Sequence, residues 1–97
     1  MLVKLTQDLK NGFLPWKEML HANGDKLKKH GMTCIFAGTE KDNDNKLMVI
    51  IDFATPEGMM AFKNDEELTQ RRIDAGAIVE TTVMTPMTGE AVTNFSG

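Results

Sequence analysis

The sequence predicts one α+β domain in the order β, α, β, β, α, β, with four antiparallel strands in a single sheet and two helices on one of its faces. Three observations carry this. Leu47 to Phe53 is apolar at nearly every position and rich in β-branched residues, which suits a strand covered on both sides. Thr55-Pro56-Glu57 follows at once and reads as a helix start. A threonine hydroxyl accepts from a free N–H of the first turn, proline there gives up a donor without a partner, and glutamate complements the positive end of the helix dipole. Finally, Phe13, Trp16, Leu20 and Leu27 recur at spacings of three, four and seven, so they form one stripe of a helix.

The elements follow in chain order. Leu2 to Gln7 alternates around Lys4 and Thr6 and opens the domain as a strand. The first helix runs from about Asn11 to His30-Gly31, where a polar side chain near the last carbonyls and a glycine free to turn left-handed end it. Met32 to Gly38 is the second strand, and Thr39 to Lys46 (TEKDNDNK) has the Asn and Asp content of a polar hairpin loop. Beyond the third strand, the helix opening at Pro56 is broken or restarted at Asn64-Asp65-Glu66-Glu67, a second cap-like signal, and ends at Ala75-Gly76. Ala77 to Met84 is the fourth strand. The domain thus spans residues 1–84, and 85–97 is a tail that has the partner subunit as one candidate contact.

Two right-handed crossovers about a central hairpin make this arrangement ferredoxin-like. Strand alternation turns Leu47, Val49, Ile51 and Phe53 one way, with Met48, Ile50 and Asp52 the other. In the fourth strand, Ile78, Glu80, Thr82 and Met84 oppose Val79, Thr81 and Val83. Two helices cover one face, so Leu2, Met48, Ile50, Ile78 and Met84 are left on the other, more apolar area than a soluble monomer usually exposes. A second copy placed sheet to sheet about a two-fold axis would cover it.

Composition narrows the function classes. A chain of 97 residues with 41% hydrophobic and 26% charged residues is sufficient for one small core. A net charge of −3 leaves no basic field to gather phosphate backbones, which argues against nucleic acid as a partner. The single cysteine, Cys34, has no intrachain disulfide partner, and the first residues hold no apolar run long enough for a signal peptide or a membrane span. A reducing, cytoplasmic setting without a membrane is the expectation.

The Trp16 to Met19 segment, the Gly31 turn, the hairpin, Val49 to Phe62 (VIIDFATPEGMMAF) and Ala75-Gly76-Ala77 resemble the dimeric α+β barrel superfamily. That group includes antibiotic-biosynthesis-type monooxygenases and several uncharacterised families of similar length. The resemblance implies a homodimer whose two sheets form a barrel, with a pocket in each protomer between helices and sheet. In the monooxygenase-like members a tryptophan and polar groups line that pocket, and the chemistry uses no metal or flavin. It places Trp16 and Asn23 at comparable positions, without a complete catalytic set.

The residues themselves leave two readings of each candidate. Trp16 and Asn23, seven apart, share a helix face, so Asn23 either orients a small ligand or bonds to backbone beside Gly24. Phe36 and Phe62 complete the expected apolar or aromatic ligand pocket. Lys4, Asp52 and Glu80 are expected on the face turned to the partner, as an ion network that fixes dimer register or as a polar chamber with a perturbed carboxylate. His21 and His30, nine apart, lie on opposite sides of a helix and cannot chelate one metal. Asp42, Asp44 and Lys46 begin like a calcium loop, but position 53 is Phe where a bidentate glutamate is required. No metal or cofactor is expected. Cys34 reads as a buried packing residue and the methionines, Met59 and Met60 among them, as adaptable core. Two functions from different classes stay open: a small-molecule-binding dimer, with a cofactor-independent oxygenase as its enzymatic form, and a non-catalytic assembly module.

Overall fold

The computed structural model describes residues 1–97. The strands are β1 (Leu2–Leu9), β2 (Met32–Glu40), β3 (Asn43–Phe53) and β4 (Ala77–Pro86). The helical segments are α1 (Phe13–Ala22), α2 (Gly24–Lys29), α3 (Pro56–Lys63) and α4 (Glu66–Asp74). The sheet is antiparallel in the order β2-β3-β1-β4, which is the ferredoxin-like arrangement. Its core joins the inward residues Val3, Leu5 and Leu9 of β1 to Leu47, Val49, Ile51 and Phe53 of β3, and these pack on Trp16, Phe62 and Leu68 from the helices.

Several local expectations hold in atomic detail. The Thr55 side chain accepts from the Gly58 N–H at 3.0 Å, and Pro56 takes the first helical position. Asp65 restarts the chain as α4, its Oδ1 accepting from the Leu68 N–H at 2.9 Å. Gly31 takes a φ of 67° after α2 and passes its carbonyl to the Ala54 N–H at 2.8 Å.

Four expectations are corrected. The first helix is two helices, because the chain leaves helical geometry at Asn23 (φ −114°, ψ 25°) and its side chain takes the Met19 carbonyl at 2.7 Å, the competition with backbone that asparagine makes easy. The polar hairpin segment is mostly strand, with only Lys41 and Asp42 at the turn. Its polar side chains are used: the first turn of α1 has no cap of its own, and Asp44 accepts from Phe13 N–H at 3.2 Å while Asn45 accepts from Gly12 N–H at 2.8 Å. Thus Asp44, one of the three residues that begin like a calcium loop, caps a helix, and Lys46, another, pairs with Asp8. The third correction concerns Met84, which packs against the core while Val83 is 57% exposed. A register shift between Thr6 and Asp8 causes it, and Thr81 fills the irregularity by accepting from Asp8 N–H and donating to the Ile78 carbonyl. Cys34 is the fourth: it is exposed overall, because β2 is an edge strand. Met59 packs on the core whereas Met60 is 51% exposed. β4 continues two residues past Met84, and 87–97 holds no helix or strand.

Asp65 is also where two helical segments are fastened. Besides capping α4, its Oδ2 lies 2.8 Å from His30 Nε2 and 3.4 Å from Lys26 Nζ. The Leu68 N–H, then His30 and Lys26, lower its pKa from 3.8 to about 2. A carboxylate depressed in the folded state stabilises fully above its unfolded value and loses that contribution as pH falls from about 4 through about 2. Asp65→Ala is therefore expected to lower unfolding free energy by about 0.5–2 kcal/mol at pH 7, the usual size of a lost cap. Urea titrations at pH 7, 4 and 2.5 check this: the gap between wild type and variant should narrow with acidity, and a constant gap would contradict the assignment.

Candidate functional site

Between the helices and the inner face of the sheet lies a partly open space of about 40 Å³, within a cleft of about 490 Å³ counted out to solvent. Leu5, Val49 and Ile51 form its floor from β1 and β3, and Cys34 and Met32 border it from β2. Trp16, Met19 and Leu20 of α1, Leu27 of α2, Phe62 of α3, and Leu68 and Arg72 of α4 close it from above. The side chains meet here because the stripe of α1 and the Leu68 and Arg72 positions of α4, four apart, both face the sheet. Phe13 stacks on Trp16 with ring centroids 5.8 Å apart, and Phe62 lies 5.9 Å from Phe53, so the aromatic walls are held by further rings.

Three polar atoms in this apolar wall have no partner. They are Gln7 Oε1, Trp16 Nε1 and Arg72 Nη2, all buried and without a hydrogen bond in the chain. Gln7 is 3% exposed and spends its amide nitrogen on the Thr82 hydroxyl. Arg72 is 8% exposed, makes no ion pair, and rests its guanidinium 5.2 Å over the Phe62 ring. Burial pulls Arg72 below its ordinary pKa, but an arginine begins so high that it stays charged at neutral pH. An unpaired buried polar group costs about 1–3 kcal/mol, and more when charged. All three belong to residues of this one wall.

The expected site residues separate. Trp16 and Phe62 line the cavity. Asn23 does not: its Nδ2 bonds to the Met19 carbonyl and its Oδ1 accepts from Arg71, so the buried amide ties α1 to α4. Phe36 is on the opposite face of the sheet, because a second register shift, between Cys34 and Phe36, sets it beside Ile50 instead of Val49. Gln7 and Arg72 were missed. Gln7 had a signal, since it shares the inward alternation of Val3 and Leu5; Arg72, four residues after Leu68, had a weaker one.

The opposite face carries half-buried Leu2 and Ile50 together with Met48, Phe36 and Val83, which are 38%, 51% and 57% exposed. An open groove of about 440 Å³ crosses it, bordered by Lys4, Thr6, Phe36, Met48 and Thr81. The Lys4, Asp52 and Glu80 network does not form within the chain. Asp52 pairs with the terminal ammonium of Met1 at 3.1 Å, and Lys4 and Glu80 have no ion partner in the chain. Lys46 and Asp8 pair there at 2.9 Å. His21 is exposed and His30 is engaged by Asp65, so the two histidines do not converge. No group of three His, Cys, Asp or Glu side chains is placed to hold a metal ion, and no helix is long and apolar enough to cross a membrane.

No protein-family model matches the chain, and no curated protein matches it in sequence. Solved structures do match. Protein Atu4242 of Agrobacterium tumefaciens superposes with a TM-score of 0.65 at 17% identity, covering 99% of this chain and 100% of its own. A candidate antibiotic biosynthesis monooxygenase of Nitrosomonas europaea gives 0.60 at 14% identity, covering 90% and 98%. An uncharacterised NIPSNAP domain protein of Burkholderia xenovorans gives 0.54 at 13%, covering 96% and 100%. The chain shares with them the ferredoxin-like fold, over essentially its whole length.

Proposed function

We propose that the protein is a homodimer that holds a small apolar or aromatic molecule in the cavity between its helices and sheet. The observation that carries the ligand part is the coincidence of an apolar cleft with three buried polar atoms that nothing in the chain satisfies. Apolar walls with a few placed polar groups are the usual make-up of small-molecule sites. The space alone holds on the order of three waters, at about 10–15 Å³ each. A ring therefore enters only if the wall yields, and Met19 and Met32, unbranched and adaptable, border the space. The dimer part is supported by the outer face, whose exposed Met48, Phe36 and Val83 suit a second sheet and whose Lys4 has no ion partner in the chain. A monooxygenase activity has the likeness to the Nitrosomonas protein behind it, which at this identity speaks for fold alone.

Trp16 is the sole tryptophan of the chain and there is no tyrosine, so intrinsic fluorescence reports directly on the cavity wall. Nitrobenzene, an uncharged aromatic quencher, is expected to quench it saturably, and Cys34→Phe, which sets a ring into the border of the cleft, should weaken the apparent affinity tenfold or more. Linear quenching, identical in the two proteins, would reject the reading. Sedimentation at micromolar concentration should give a two-chain mass, and a folded single chain would remove the dimer.

A further inference from the structure

We propose that the guest of this cavity is an organic anion, an apolar or aromatic carboxylate whose head group pairs with Arg72. This rests on the reading that the cavity binds a small molecule, and it adds the class of molecule.

The argument begins with charge. Buried arginines are ordinarily paired, since an isolated ion taken from water loses its solvation with nothing in return. Arg72 is 8% exposed, its Nη2 is buried without an acceptor, and no carboxylate of the chain pairs with it. The lining contains no Asp or Glu. The nearby carboxylates are used elsewhere: Glu67 pairs with Arg71 and Lys26, Asp65 caps α4, and Asp74 accepts from Gln70. The Phe62 face returns part of the lost solvation, but a ring face carries no net charge. Water entering the cavity would satisfy hydrogen bonds and still leave the positive charge uncompensated. A guest that brings one negative charge answers the deficit.

The other two orphans fit the same guest. Trp16 Nε1 can only donate. Gln7 presents an oxygen as placed, but its partner is the Thr82 hydroxyl, which donates as readily as it accepts. The amide can therefore turn, give its oxygen to Thr82 and offer Nε2 to the cavity. Arg72, Trp16 and Gln7, all residues of this lining, then each hold a donor that the chain leaves unused, and a guest that displaces the flexible wall would meet them. A carboxylate has two oxygens with about four acceptor sites, and an arginine fork matches it in geometry. The remaining lining, Leu5, Leu20, Leu27, Val49 and Ile51, would take the apolar body of the molecule.

Nitrobenzene and benzoate differ little in shape and chiefly in charge, so they separate the claims. Calorimetric titration at pH 7 should show benzoate binding at least tenfold more tightly than nitrobenzene. Arg72→Gln should abolish that preference and keep nitrobenzene binding, and Arg72→Lys should retain part of it. If Arg72→Gln does not fold, the wild-type comparison and Trp16→Phe, which loses one donor and should reduce the preference for benzoate, decide the matter. Nitrobenzene binding equal to or tighter than benzoate overturns the anion and leaves the cavity reading intact. Binding of neither overturns both.

Discussion

Phe53→Ala is expected to lower the free energy of unfolding by about 3–5 kcal/mol, the range for deleting a buried phenylalanine. Phe53 is 0% exposed, ends the β3 strand, and lies opposite Met32 of β2. Its ring meets Phe62, which forms a wall of the cavity and carries the Arg72 guanidinium on its face. Removal thus opens a void that the strand ends cannot close, since Phe53 N–H is tied to the Met1 carbonyl at 2.9 Å and Ala54 N–H to Gly31. A domain of this size is stable by about 5–15 kcal/mol, so the change takes away a large share of the total. Urea unfolding at matched protein concentration measures it, and concentration must be held fixed because a dimer adds mass action to the midpoint. Phe53→Leu, closer in volume, should lose under half as much. A loss below 1 kcal/mol for the alanine variant would mean that the ring is not close-packed in solution.

Gly58→Ala should destabilise the protein by about 1–3 kcal/mol, the cost of forcing a group into a filled space. Helix propensity alone predicts the reverse, a gain of about 1 kcal/mol. Gly58 lies within the first turn of α3, where a β-carbon would collide with the backbone carbonyl of His30. Neither side can yield cheaply: the His30 carbonyl follows α2, and the Gly58 N–H is held by Thr55 at 3.0 Å. Gly24 supplies the contrast, because it opens α2 with nothing within 4 Å of a β-carbon. Gly24→Ala should be neutral or mildly stabilising. Thermal melts of the two variants check the opposite signs, and a higher melting temperature for Gly58→Ala would show that α2 and α3 do not approach so closely.

The fold was legible where local chemistry and long-range packing agree. The Leu47 to Phe53 run, the Thr55-Pro56-Glu57 start and the Asp65 restart each combine a pattern with a cap, and the structure places them as expected. Where polar residues serve distant partners, local reading went astray. Asp44 and Asn45 read as loop because their targets, Phe13 and Gly12, are 31 and 33 positions away. Met84 and Phe36 were assigned to the wrong faces because an odd number of extra residues in a strand, one in β2 and three in β4, reverses all alternation beyond it. Trp16 and Phe62 were found as cavity residues from helical stripes, whereas Asn23 shared that stripe and yet bonds to Met19 and Arg71.

By itself the sequence determined the kinds and order of the elements, because hydrophobic period, proline and capping residues act over a few positions and need no knowledge of the rest. It also determined that one face of the sheet would be more apolar than two helices can shield. Only the tertiary structure decided which polar groups go unsatisfied. Arg72, Gln7 and Trp16 lie far apart in the chain, and a missing partner is a property of everything packed around an atom.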